Sequence, residues 1–215
     1  MSSTVPPRAH PGRTGRGPRV DPVLIHAVHH ALRRDLRALV VWARTSVPVA
    51  TPGWTDFCRY LTVHHEAEDT VLWPLLRAAA DPGPGLRRLV IAFEDEHRHV
   101  AELVATVDDC LSGRGPASRT LEHATRLAAT LTAHLHHEET TVLPLVANLV
   151  KPGDWAHFDI AQRQPLGLGS GAAFLSWLLE GLPPDREAAV RSQFPPAVRL
   201  AHRALRARHT RRVRW

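Results

Sequence analysis

Two stretches of this chain set a histidine and a carboxylate one helical turn apart. His64–Leu75 reads HHEAEDTVLWPL and His134–Leu145 reads HLHHEETTVLPL. Laid over each other, His64 meets His134, Glu68 meets Glu138 and Asp69 meets Glu139. Thr70, Pro74 and Leu75 meet Thr140, Pro144 and Leu145. Residues four apart share a helix face, with Cβ atoms roughly 5–6 Å apart. Each His–Glu pair can therefore reach one cation. A single pair would read as an ion pair on a helix face, but two with matched flanks point to metal binding and to a duplicated helical hairpin.

A second repeat completes the set. His29 with Leu32 and Leu36 matches His97 with Val100 and Val104, so each hairpin adds one histidine on an apolar stripe. His26 and His30 flank His29 and remain alternatives. His29 is preferred because a shift to His30 turns Arg33 and Arg37 toward the core. His65, His136 and His137 are read as supporting or solvent-facing neighbours of the ligands, and His99 as pointing elsewhere on its helix. Asp69 and Glu139 could replace the two Glu as bridges but lie off the i+4 face.

The candidate metal ligands are thus His29, His64, Glu68, His97, His134 and Glu138. Four imidazoles and two carboxylates exceed what one tetrahedral zinc takes. They suit two metals with bridging carboxylates. Imidazole and carboxylate together favour iron or manganese over thiol-loving ions.

The elements that must hold these residues follow from periodicity and breaks. Helical patterns run from about Asp21 to Thr45, Trp54 to Ala80, Leu86 to Leu111 and Ala117 to Val150. Asp21 is the expected N-cap of the first, with Pro22 at N1. The breaks VPVATPG, DPGPG, SGRGP and KPGD are rich in Pro and Gly. The fold class is all-α: an up-down-up-down four-helix bundle over residues 21–150. Residues 1–20 read as a disordered basic N-terminus. Residues 151–215 read as a helical extension, with helices expected over 172–184 and 185–208, ending in an Arg-rich tail. Pro74 and Pro144 admit two readings: a kink that shapes the pocket, or simple helix ends. Leu72, Trp73, Val71 and Val100 are expected to be core and to wall a small apolar pocket.

These motifs make the chain resemble the hemerythrin-like, HHE cation-binding family, including its actinobacterial members. The likeness rests on HHEAEDTVLWP and HHEETTVLP and covers roughly residues 21–150. It implies a non-haem di-iron centre, with the six residues above as ligands. The implied function is to bind or sense oxygen, peroxide or nitric oxide. A peroxidase- or catalase-like di-iron enzyme is the alternative. The classical oxygen carrier has a further His one turn before the third-helix ligand, and here that position is Phe93. One metal would then be a protein ligand short, which favours reactive or sensory chemistry over reversible carriage.

Composition supports this frame. The chain has 15 His and no His run. Its formal charge of +6 sits at the two ends, because all 21 acids lie between Asp21 and Glu187. The basic ends suggest a third reading, a partner-binding module, but no nucleic-acid motif accompanies them. Cys58 and Cys110 lack CxxC spacing and read as free thiols in a reducing compartment. No apolar run is long enough to span a membrane, and no secretory signal is apparent. The expected location is cytoplasmic.

Overall fold

The computed structural model describes residues 20–45, 49–79, 83–163, 167–210 and 215. The expectations for residues 1–19, and for the side chains of the Arg-rich stretch 206–214, fall outside them.

Helix α1 spans Val23–Thr45. The Asp21 carboxylate accepts the Val23 N–H at 3.2 Å, the contact expected of an N-cap. Helix α2 spans Pro52–Ala67 and starts two residues before the predicted Trp54. Thr51 is the reason: its hydroxyl accepts the Trp54 N–H at 3.1 Å, and Pro52 opens the first turn. A π turn over Glu68–Leu72 joins α2 to α3, Trp73–Ala78. Helix α4 is Pro84–Leu111. The fourth pattern holds a 3-10 turn at Ala117–Arg119, α5 over Thr120–His137, a second π turn over Glu138–Val142, and α6 over Leu143–Leu149.

Both π turns fall on the duplicated motif and explain its proline. A proline ring clashes with the carbonyl four residues back and offers no N–H. Here the N–H before each proline reaches five residues back: Trp73 to the Glu68 carbonyl, Leu143 to the Glu138 carbonyl. The widened turn makes room for the ring, and the helix runs on. Thr70 and Thr140 help by donating their hydroxyls to the carbonyls of Glu66 and His136. Pro74 and Pro144 therefore do not end their helices.

The buried side chains show how the four rods run. One apolar cluster holds Leu32, Leu36, Leu61, Val100 and Leu131. A second holds Ile25, Leu72, Phe93 and Val142. Along α1 and α4 the chain passes from the second cluster through His29 or His97 to the first. Along α2 and α5 it passes from the first through His64 or His134 to the second. Alternate helices thus run in opposite directions, and a layer of His and Glu separates two apolar layers. Leu72, Trp73 and Val100 are fully buried at the borders of that layer, as expected. Val71 is half-buried.

Among the described residues the extension holds four helices: α7 Pro152–Ala161, α8 Gly167–Leu179, α9 Pro184–Ser192 and α10 Pro196–Thr210. Helix α7 replaces an expected break, because Pro152 sits at the first turn, where its missing N–H costs nothing. Pro195 and Pro196 divide the helix expected over 185–208 into α9 and α10. Phe174, Leu175, Leu178, Val190 and Phe194 enter the first apolar cluster, so the extension packs on the bundle. A polar clamp fixes it. The Trp177 indole donates to Asp35 at 2.7 Å in a buried setting. Arg34 donates to Asp35 and to the carbonyls of Trp177 and Glu180. Leaving such buried partners unpaired costs about 1–3 kcal/mol each.

Among the described residues no helix is long and apolar enough to cross a membrane.

Candidate metal centre

Six buried residues from four rods meet in the polar layer: His29, His64, Glu68, His97, His134 and Glu138. These are the six residues the sequence singled out. Together with His65 they fall into two groups that share Glu68. One group is His29, His64, Glu68 and Glu138; the other is His65, Glu68, His97 and His134. Within each group the donor atoms lie within 4.8 Å of one another. Glu68 faces both ways. Its Oε1 lies 3.3 Å from His64 Nε2 and its Oε2 lies 3.3 Å from His97 Nε2. Glu138 Oε2 lies 3.2 Å from His29 Nε2.

The ring orientations have a clear cause. His29 Nδ1 pairs with Glu139 at 2.8 Å, His97 Nδ1 with Asp69 at 2.8 Å, and His134 Nδ1 with Glu96 at 2.8 Å. His64 Nδ1 pairs with the Gln162 side-chain oxygen at 3.3 Å. All four partners are acceptors, so each ring carries a proton on Nδ1 and turns its Nε2 inward. This arrangement orients imidazoles for metal binding. Asp69 and Glu139 belong to neither group. Each reaches across to orient the lone histidine of the other hairpin. Arg33 holds Glu139 through two bonds of 2.7 and 3.0 Å, and the Trp73 indole donates to Asp69 at 3.0 Å.

Buried polar atoms ordinarily find hydrogen-bond partners. Here the Nε2 atoms of His65, His97 and His134 and all four carboxylate oxygens of Glu68 and Glu138 have none. The Nε2 atoms of His29 and His64 face each other at 3.2 Å. With Nδ1 protonated on both rings, a cation must stand between those lone pairs, either a proton or a metal ion. The donor set, its burial and its unsatisfied atoms fit a pair of metal ions sharing a carboxylate.

The electrostatics agree. Burial opposes charge on His29, but Glu138 and Glu139 outweigh it and lift its pKa to about 9. Burial likewise opposes charge on His97, which Asp69 and Glu68 lift to about 10. His64 goes the other way: burial and the neighbouring His29 bring it down to about 3. Burial, reinforced by His97, holds His65 well below the usual value. Glu68 is raised well above the usual carboxylate range by burial and by Glu138. Protons on His29 and His97 supply the positive charge that cations would bring.

The structure departs from the sequence reading at three places. His65, read as a supporting or solvent-facing neighbour, has a buried Nε2 inside the second group. Its ring stacks on His97, with centroids 3.9 Å apart and planes 7° apart. The signal was present in the repeat: His65 aligns with Leu135, a fully buried core position. Phe93 is fully buried and packs on Trp73, His134 and His137. The nitrogen missing there is matched by one arriving from α2, so the count of six donors becomes seven. Gln162 and Glu96 were not anticipated. The alternatives to His29 fall away: His26 is exposed, and His30 belongs to neither group. His136 is exposed, His137 pairs with Glu96 and His99 with Glu102.

Residues 22–146 match the family model of the hemerythrin HHE cation-binding domain. That is more than half of the chain, and the protein belongs to this family of helical bundles. Neither a curated protein nor a solved structure matches it.

Proposed function

We propose that this protein holds two iron ions in its polar layer and binds or senses a small ligand such as oxygen, peroxide or nitric oxide. His29, His64 and Glu138 would hold one iron and His65, His97 and His134 the other, with Glu68 available to both. The observation that carries this reading is the convergence of unpaired, buried Nε2 and carboxylate oxygens in two groups that share one residue. Iron in such a donor set can bind a small ligand at positions the protein leaves open and exchange electrons with it. The chain's own part is to orient the imidazoles through Glu139, Asp69, Glu96 and Gln162, and to wall the centre from water with Leu72, Trp73, Phe93 and Val100.

Metal analysis of the purified full chain, together with its optical spectrum, tests the reading. Two irons per chain are expected, and a single zinc per chain overturns it. The same preparation separates sensing from turnover. Rapid peroxide decay that is lost in His64→Ala assigns a peroxidase- or catalase-like enzyme. Ligand-dependent spectra without turnover assign a binding or sensing protein.

A further inference from the structure

The ring acceptors around the centre are not alike. His29, His97 and His134 each have a carboxylate on Nδ1, from Glu139, Asp69 and Glu96. His64 alone has a neutral amide, the side-chain oxygen of Gln162. Gln162 is the C-cap residue of α7, and its backbone N–H closes that helix on the Phe158 carbonyl at 3.1 Å. It lies in the extension, beyond the residues 22–146 that match the family model.

We propose that Gln162 is a positioning residue of the metal centre: its side-chain carbonyl fixes His64 with Nε2 toward the metals, and its neutrality leaves the His64 ring a weaker donor than a carboxylate partner would. The inference rests on the di-iron reading above.

Two observations separate this role from simple packing. The Gln162 side chain is fully buried, and its Nε2 has no partner. An apolar residue of similar size would avoid that unpaired N–H, but it would orphan the His64 Nδ1–H. The amide is therefore kept for its oxygen. Second, α7 is anchored without Gln162. Trp155 and Phe158 are buried in the second apolar cluster beside Leu72 and Trp73. The Trp155 indole donates to the Asp21 carbonyl at 2.9 Å, and Arg163 donates to the Gln193 carbonyl.

The neutral acceptor has an electronic consequence. A carboxylate on Nδ1 raises the basicity of the ring and strengthens its hold on a metal. An amide does so less. Among the four rings with a side-chain acceptor on Nδ1, only that of His64 has a neutral one, which makes it the weaker donor of the four.

The test loads the full-length wild type, Gln162→Leu and Gln162→Glu anaerobically with ferrous iron. It reads iron affinity by competition with a chelator, the spectrum of each iron, and the reduction potentials. Gln162→Leu is expected to weaken one of the two irons about 10–100-fold and leave the other unchanged. Gln162→Glu is expected to keep both irons, alter the spectrum of one, and lower one potential. If Gln162→Leu fails to fold, the shifts in Gln162→Glu carry the test. Wild-type affinity and spectra in the folded variants overturn the inference alone. A wild type that takes up no iron, or a His64→Ala variant that loses none, overturns the ligand assignment and this inference with it.

Discussion

The two hairpins carry the same motif and the same π turn, yet they furnish the centre differently. The first supplies His29, His64, His65 and Glu68; the second supplies His97, His134 and Glu138. Where the first has His65 the second has Leu135, and where the second has Glu96 the first has Val28. Helix α7 also packs against the π turn of the first hairpin. Duplication built a two-fold frame, and single residues on that frame made the two groups inequivalent. One group contains two histidines and the other three.

The comparison can be broken most severely at the shared residue. Glu68→Ala is expected to abolish stable binding of both metals, whereas the repeat-equivalent Glu138→Ala removes the His29–His64 metal only. Metal analysis of both variants after dialysis checks this, and equal losses would mean that the hairpins share the centre evenly. His65→Leu copies the second hairpin into the first. It is expected to halve the bound metal and spare the His29–His64 group, with little loss of fold because Leu135 already fills the matching position.

Metal removal probes what the halves have in common. The metal-free bundle retains buried, unpaired donors, so chelation should lower the melting temperature. At free metal about 100-fold above the dissociation constant, each site adds roughly 2.7 kcal/mol. Both halves should also show the same pH sign. His29 at about 9 and His97 at about 10 are raised above the ordinary histidine value of about 6.5. Their ion pairs stabilise the metal-free protein fully below pH about 6.5, and that stability is lost as pH rises through about 9 to 10. Metal must displace those protons, so apparent affinity should climb with pH over the same window. Titration of metal uptake at fixed pH values checks the sign.

The smallest effect is expected at Asp159 on α7. Burial, together with Asp21 and against Arg163, raises its pKa to about 7. A carboxyl with a raised folded-state pKa loses stability for the protein as pH rises from about 4 through about 7. Asp159→Asn should therefore gain about 1–3 kcal/mol at pH 8 and little at pH 4, read from denaturant melts. An equal change at both pH values would exclude a titration effect.

Much of this was legible in the sequence. The H-x-x-x-E pairs gave a shared helix face, the Leu and Val neighbours of His29 and His97 gave the core stripe, and Pro–Gly breaks gave four rods. These are properties of one helix at a time, set by its 3.6-residue period. The π turns were hidden because a proline inside a helical pattern is compatible with a kink or an end. His65 was missed because two adjacent histidines cannot both lie at i−4 from Glu68, although at i−3 it also reaches that face.

The sequence by itself determined the family, the four rods and the six residues brought to one layer, because local periodicity and repetition decide which face each side chain occupies. Only the tertiary structure decided that Glu68 looks toward both groups, that Asp69 and Glu139 cross to orient the opposite hairpin's histidine, that His65 joins the centre, and that Gln162 reaches it from the extension. Those contacts span up to 110 residues of chain, and their geometry depends on how the helices cross and on where the π turns rotate them, which no single helix encodes.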